Sequence, residues 1–162
     1  MKQERSQRRL VQLRAAAAAV LLAQGFDAVT HRAVAAQAEV PLGSVTYYFA
    51  DRDDLVRQAL EHAGQGWLAA ARDAVDALPS RLTSRPAVAR AVLAVAVGDA
   101  ADLGSLYERY VQASRTGQLR DVVADLDRAL TDLLGEVLRR SGRSRSAPTT
   151  RGRRCCPSSP AS

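Results

Sequence analysis

A glycine and two short polar side chains between positions 42 and 48 are the residues best suited to chemistry. Gly43 is followed by Ser44 and Thr46, whose hydroxyl groups can hydrogen-bond to base edges or to phosphate oxygens. Gly43 leaves bare backbone, which lets a helix approach a ligand closely. Two adjacent tyrosines follow these residues, and the bare backbone and short hydrogen-bonding groups of the stretch would suit a close approach to DNA.

The residue types that usually carry catalysis or bind metals are not arranged for either role. His31 and His62 lie far apart in the sequence, and each is expected to be a surface or packing residue. Cys155 and Cys156 are adjacent, a spacing that suits neither a disulfide nor a zinc site. The sequence therefore predicts no enzyme activity, no metal and no cofactor.

The elements that must position the polar stretch form a helix-turn-helix, whose second helix enters the major groove of DNA. The first helix of the pair is predicted over residues 31 to 37, with Thr30 as its cap. Pro41 opens the second helix, where its missing N–H does no harm. Val40 and Val45 are placed to fill the space between the two helices.

The remaining sequence also has helical periodicity, which predicts an all-α fold. A first helix over about residues 6–24 stops at Gly25. After the helix-turn-helix, Asp51 caps a long helix that ends before Pro79. Three further helices are predicted over about residues 86–100, 102–116 and 119–140. The first of these is apolar almost all round, which predicts a buried central helix. The last is amphipathic, and its predicted inner side holds Val122, Leu126, Ala129, Leu130, Leu133, Val137 and Leu138.

The formal net charge of +6 is concentrated at the ends of the chain. Residues 139–162 contain seven arginines and no acid, which leaves residues 1–138 with a net charge of about −1. A second basic segment, residues 1–14, suits attraction to phosphate, although basic termini are also common in other proteins. Residues 141–162 contain no leucine, valine, isoleucine or aromatic residue, so they are predicted to form a disordered basic tail.

An apolar run over residues 15–23, preceded by basic residues, has the outline of a secretory signal. Its apolar positions, however, continue a helical stripe that begins at Leu10, within the basic segment, and this favours a buried helix. No stretch reaches the roughly 18 apolar residues that a membrane span needs. The sequence therefore predicts a cytoplasmic protein without a membrane partner.

A resemblance to the TetR family of bacterial transcription regulators is carried by the stretch Thr30-x-Arg32-x-Val34-Ala35-x-x-Ala38-x-Val40-x-x-Gly43-Ser44-Val45-x-Tyr47-Tyr48-Phe49-x-x-Arg52-x-x-Leu55. Together with the preceding helix and Gly25-Phe26, which also fit, the resemblance covers about a third of the chain. It implies a helix-turn-helix DNA-binding domain over residues 1–50 and a helical ligand-binding and dimerisation domain over residues 51–140. Members of this family are homodimers that mostly repress genes, and a small-molecule inducer releases them from double-stranded operator DNA.

The resemblance also implies individual DNA contacts. Thr30 lies near phosphate or serves only as a cap, and Arg32 reaches DNA or is an ordinary surface arginine. The side chains implied to face bases are Leu42, Gly43, Ser44 and Thr46. Tyr47, Tyr48 and Arg52 are implied to contact phosphates, although one of the two tyrosines could instead pack on the first helix.

Three departures from the family pattern bear on the DNA-binding site. Glu39 stands where the family prefers glycine, and a left-handed backbone there would cost about 1 kcal/mol. Pro41 replaces a usual capping serine, and Thr46 replaces a common tyrosine. The last two changes are expected to alter operator preference.

The resemblance further implies an apolar inducer between the later helices. The residues expected around such a cavity are Trp67, Leu93, Val97, Tyr107 and Tyr110, unless they simply fill the core. The family's regulatory domain normally continues beyond residue 140 with the helices of the dimer interface. Residues 51–140 are therefore predicted to be an incomplete domain and the chain a poor dimer, with apolar surface left on its last helix. The alternative function is a truncated helical interaction module that no longer dimerises or regulates.

Overall fold

The structure is a computed structural model that describes residues 2–97 and 100–142. Over these residues the chain is helical and contains no strand, which confirms the predicted all-α fold. The helices are α1 (Lys2–Gln24), α2 (His31–Gln37), α3 (Leu42–Tyr48), α4 (Arg52–Asp76), α5 (Arg85–Val97), α6 (Ala100–Ser114) and α7 (Arg120–Arg140). Short 3₁₀ turns at Phe26–Ala28 and Gly117–Leu119 precede α2 and α7.

Capping side chains set where two of the helices begin. The Ala33 amide donates to Thr30 Oγ1 over 3.1 Å at the start of α2. The Asp54 amide donates to Asp51 Oδ1 over 2.8 Å at the start of α4. Each cap satisfies an amide that has no partner within its helix, so both predicted helix starts are confirmed. By contrast α1 begins several residues before the predicted start.

A first apolar cluster joins the N-terminal helices to α4 and α7. The apolar stripe of α1, including Leu13 and Leu21, is buried against α2, α3 and the first half of α4. Leu126 of α7 closes the cluster at Gly64, where an added Cβ would lie 2.5 Å from a Leu126 methyl carbon. Because only a glycine permits this approach, α7 packs directly on the backbone of α4. The cluster continues past residue 50, the predicted end of the DNA-binding domain.

A second apolar cluster holds the other ends of α4 and α7 together with α5. It contains Ala71, Val75, Leu82, Ala91, Val95, Leu133 and Val137. The prediction of a buried central helix over residues 86–100 is wrong for the described part of α5, where Leu93 is 59% exposed and Val88 and Val92 are half-buried. In this structure α5 packs on α4 and α7 with one side only, since Ala91 and Val95 are its buried residues.

The inner side predicted for α7 is largely correct. Val122, Leu126, Leu133 and Val137 are buried, whereas Leu138 is 39% exposed and lies outside the core. Leu130 and Leu134 are half-buried, so the apolar surface that α7 leaves uncovered is a narrow strip. The backbone N–H groups of Ser141 and Gly142 donate hydrogen bonds to carbonyls of the last turn and so end the helix. The rest of the predicted disordered tail, residues 143–162, lies outside the described residues.

None of the described helices combines the length and the apolar character needed to cross a bilayer. The apolar stripe of α1, which resembled a secretory signal, is instead part of the first cluster.

Candidate nucleic-acid interface

A four-residue turn between α2 and α3 sets the angle at which α3 is presented. Glu39 adopts φ 54°, the left-handed conformation that the family's preference for glycine implied at this position. The next amide, Val40 N–H, donates back to Ala35 O over 3.0 Å. Val45 of α3 is fully buried against α2, together with Val34. The turn and this apolar contact fix α3 on the surface with one side anchored and the other free.

The free side of α3 carries most of the predicted base-facing residues. Leu42 is 41% exposed, and Gly43 and Thr46 are also exposed. An added Cβ at Gly43 would meet nothing within 4 Å, so the backbone there is open to a ligand. Thr46 Oγ1 donates to Gly43 O over 3.3 Å, which leaves its oxygen lone pairs free to accept. Ser44 is half-buried and lies at the edge of this surface.

The two tyrosines at the end of α3 point in different directions. Tyr47 is 80% exposed, whereas Tyr48 packs against the first cluster. The Tyr48 hydroxyl is 3.1 Å from Ser6 Oγ of α1, and the two tyrosine rings meet edge to face at 5.1 Å. The structure therefore assigns the packing role to Tyr48 and leaves Tyr47 available to a partner.

The predicted phosphate contacts lie at the starts of α2 and α4. Thr30 and Arg32 are both exposed, and Thr30 also acts as the cap of α2. Arg52 has a partner that the sequence did not reveal: its Nη2 donates to Phe26 O over 2.8 Å and lies 3.6 Å from Asp27 Oδ1. These contacts tie the first residue of α4 to the turn that follows α1. About half of the Arg52 side chain remains exposed, so phosphate contact stays a prediction for this residue.

A second arginine joins the start of α4 to the start of α7. Arg57 makes two bonds to the Asp121 carboxylate, of 2.7 and 3.0 Å, and a third of 2.6 Å to Gln118 O. The hydrogen bond from Arg57 lowers the pKa of Asp121 below its usual range, and the same bond raises the pKa of Arg57. Sequence reasoning missed this pair because its members lie far apart in the chain and neither follows a recognisable motif.

A close contact between the end of α1 and α6 supplies a third connection. Gly25 has φ 91°, and an added Cβ would lie 2.9 Å from Arg109 Nη1. The Arg109 side chain is only 17% exposed, so its guanidinium group packs on the Gly25 backbone. The sequence indicated that Gly25 ends a helix, but it gave no sign that an arginine from α6 covers it.

The structure describes four of the five side chains predicted around an inducer, and two of these, Tyr107 and Tyr110, are in contact. Leu93 and Tyr107 are 59% and 65% exposed, and the side chain of Val97 lies outside the described residues. Tyr107 and Tyr110 stack with ring centroids 6.4 Å apart, and the Tyr110 hydroxyl donates to the Asp127 carboxylate. Burial, together with this bond, raises the pKa of Tyr110 to about 12. Trp67 is half-buried, and its ring N–H is buried without a hydrogen-bond partner among the described residues.

Two cavities between the described helices are lined by other residues. A cavity of about 250 Å³ between α4 and α7 is lined by Arg57, Glu61, Gln65, Leu68, Asp121, Val122, Asp125 and Leu126. Another cavity, of about 230 Å³, is lined by the turn after α1, the start of α4, and residues from the end of α6 to Leu119. The assignment of the five predicted residues to an inducer therefore stays a prediction. Among the described residues no group of three or more histidine, cysteine, aspartate or glutamate side chains is arranged to hold a metal.

Comparison with known proteins gives a consistent result for the N-terminal helices. Residues 13–59 match the family described as bacterial regulatory proteins, tetR family. This range contains the second half of α1, α2, α3 and the start of α4, so it includes every predicted DNA contact described above. None of the curated proteins that were compared matches the chain.

Solved structures extend the similarity over most of the chain. The multidrug binding protein EbrR complexed with proflavin is 36% identical, with a TM-score of 0.57, over 83% of this chain and 78% of that one. EbrR complexed with ethidium is 35% identical, with a TM-score of 0.62, over 80% of this chain and 75% of that one. A TetR-family regulator structure from Mesorhizobium loti MAFF303099 is 18% identical, with a TM-score of 0.58, over 84% of this chain and 65% of that one, and it supports the fold alone.

Proposed function

The chain belongs to the TetR family of bacterial regulatory proteins, and from this premise we propose that it represses transcription by binding operator DNA through α3. A small-molecule inducer would release it from the operator. A regulator of this kind acts on DNA in the bacterial cytoplasm.

The observation that carries the proposal is the two-sided character of α3. Its inner side is anchored by the fully buried Val45, while Leu42, Thr46 and Tyr47 are exposed together on the outer side. A recognition helix needs this arrangement, because the side chains that contact bases must project from a helix whose own position is fixed. Leu42 is suited to a thymine methyl group, and Thr46 to a base edge.

The proposal for the inducer comes from the EbrR complexes, whose ligands include proflavin and ethidium. These are planar aromatic cations, and we propose the same class of ligand for this chain. Tyr107 and Tyr110 stack on each other, and the Tyr110 hydroxyl bonds the Asp127 carboxylate. The two tyrosines would offer aromatic faces to such a cation, and Asp127 would offer a negative charge. Trp67 of α4, with its buried ring N–H, is a further aromatic side chain.

Selection of duplexes from a random-sequence pool by the purified chain tests the DNA-binding part. Enrichment of a defined sequence is expected, and Thr46→Ala should change the preference among bases at one position by about 1–3 kcal/mol. Gln37→Ala is the matched control, because Gln37 is exposed at the end of α2, outside the predicted contacts. A pool that stays random would contradict the proposal.

Titration with ethidium in the absence of DNA tests the inducer part, because the dye itself binds duplexes. Quenching of the single tryptophan, Trp67, is expected on saturation. Tyr110→Phe keeps the ring but removes the hydroxyl that bonds Asp127, whereas Tyr110→Ala removes the ring as well. The alanine variant is expected to bind more weakly than the phenylalanine variant. Equal affinities for the two variants would contradict the aromatic contact.

A further inference from the structure

The first turns of α1 carry a positive surface beside the recognition helix. Residues 2–14 contain five basic side chains and one acidic side chain. Arg5, Arg8 and Arg9 are all exposed. Arg5 and Arg9 are four residues apart, so they occupy the same side of the helix.

Two hydrogen bonds fix where this part of α1 lies. Ser6 Oγ is 3.1 Å from the Tyr48 hydroxyl, at the end of α3. Gln12 Nε2 donates to Ala38 O over 3.2 Å, at the turn that precedes α3. Ser6 and Gln12 are about 9 Å apart along the helix axis. The segment between them therefore runs alongside α3, from its last residue to the turn before it.

Arg9 is directed toward the same turn. Its Nη1 donates to Gln12 Oε1 over 3.2 Å, and Gln12 in turn contacts Ala38. Arg5 lies one turn further along α1, near the level of the Ser6–Tyr48 contact. Tyr47, which is 80% exposed, stacks edge to face on Tyr48 at this end of α3. The two arginines thus lie on the part of α1 that is bonded to the last residue of α3 and to the turn before it.

We propose that Arg5 and Arg9 form a second DNA contact, which binds phosphates of the duplex backbone next to the groove occupied by α3. The phosphates line both edges of the major groove, so a positive helix alongside a recognition helix meets the backbone. The apolar stripe of α1 is buried in the first cluster, which leaves no apolar side for a lipid surface. This inference rests on the proposed function and adds a contact outside the helix-turn-helix.

The predicted contact differs from base recognition in its dependence on salt. Each phosphate contact changes the slope of log affinity against log salt concentration by about 0.9. The double variant Arg5→Gln/Arg9→Gln should therefore lower the magnitude of that slope by about 1.8 and weaken binding roughly 10- to 100-fold at about 0.1 M salt. A contact to phosphate does not depend on the base sequence, so the loss of affinity should be equal on different duplexes.

The experiment measures binding of the full chain to a fluorescent duplex that wild type has enriched from a random pool, and to a scrambled duplex of the same composition. The matched control is Arg72→Gln/Arg90→Gln, which removes the same charge from exposed positions on α4 and α5. Arg72 lies about 30 Å along α4 from its first residue. Thermal unfolding of each variant is compared with wild type to confirm that it is folded.

Equal loss on both duplexes with a shallower slope, and an unchanged slope in the control pair, would support the inference. An unchanged slope in the Arg5/Arg9 variant would overturn it, and Tyr47→Ala would then still show whether α3 binds the enriched duplex. An equal change in the Arg72/Arg90 variant would also overturn it, since a general charge effect would explain the loss. If wild type enriches no sequence and binds neither duplex, the proposed function fails together with the inference.

Discussion

Replacing Glu39 by glycine is expected to stabilise the protein, because Glu39 holds a backbone conformation that L-amino acids avoid. Its φ of 54° places it in the left-handed region, at the turn between α2 and α3. This conformation costs a non-glycine residue about 1–2 kcal/mol. Glycine removes that cost, but it also makes the unfolded chain more flexible, which lowers the stability by about 0.4–1 kcal/mol. The Glu39 side chain is exposed, so few contacts are lost, and a net gain of roughly 0.5–1 kcal/mol is expected.

Urea unfolding, followed by circular dichroism and by Trp67 fluorescence, measures this change. The midpoint should rise in Glu39→Gly while the dependence on urea stays constant, since the same surface is exposed on unfolding. Glu39→Gln keeps the strain and removes only the charge, so its stability should match wild type within about 0.5 kcal/mol. Gln37→Gly makes the same residue type at a helical position of α2, where it should cost roughly 0.5–1 kcal/mol.

Glu39→Gly and Gln37→Gly introduce glycine only two residues apart, yet they are expected to change the free energy of unfolding in opposite directions. If Glu39→Gly destabilised the chain as Gln37→Gly does, the turn would not be strained and the family's preference for glycine would need another cause. If Glu39→Gln alone gave the full gain, charge and not backbone conformation would be the source. In either case the backbone conformation of Glu39 would not be a source of strain in the turn.

Three more outcomes are expected. Gly25→Ala should destabilise the chain by about 1–2 kcal/mol in urea unfolding, because φ is 91° there, whereas Gly66→Ala in the open middle of α4 should not. Arg57 lowers the pKa of Asp121, so in acid the unfolded chain binds more protons than the folded chain does. The stability that this pair contributes is therefore present above the ordinary aspartate pKa of about 3.9, and it is lost as pH falls through the lower pKa of the folded chain. Wild type should therefore lose more stability than Arg57→Gln on acid titration, and parallel curves would contradict the pairing. In sedimentation at micromolar concentration the chain alone should be mainly monomeric, because α7 leaves only a narrow apolar strip near Leu138; a tight dimer would contradict this.

Local chemistry explains which parts of the structure the sequence could predict. Thr30 and Asp51 were recognised as caps because a short polar side chain before an apolar helical pattern has a direct local role. Glu39 was recognised as a strained turn residue because the resemblance places glycine there. In each case the determining contacts lie within four residues of the position itself, so the sequence contains the information.

The errors arise where burial depends on what packs against a helix. The segment 86–100 is apolar on every side, which normally indicates a central helix. In the described chain α5 packs with one side only, and Leu93 is 59% exposed. Hydrophobic periodicity reports which surfaces a helix can bury, whereas the number of neighbouring helices decides which surfaces it does bury. The same argument applies to Leu138, which continues the apolar stripe of α7 but is 39% exposed, although its neighbour Val137 is buried.

The arginine contacts between the DNA-binding helices and the rest of the chain could not be predicted from the sequence, and the reason is the same for all of them. Arg52, Arg57 and Arg109 each place a guanidinium group on a carbonyl, a carboxylate or a bare glycine backbone that is remote in sequence. A long arginine side chain can reach many positions, so its partner is decided only when the helices have packed.

These contacts also cross the domain boundary at residue 50 that the sequence motif suggests. The first cluster runs from α1 through α4 to Val122 and Leu126 of α7 without a break at residue 50. Arg57 bonds the start of α4 to Asp121 and Gln118, at the opposite end of the sequence. Because α4 is packed and bonded on both sides, α7 cannot shift relative to α4 without breaking these bonds or moving α4 against α1. A ligand that favours a different position of α7 would therefore act on the DNA-binding helices through α4, by as much as its affinities for the two arrangements differ.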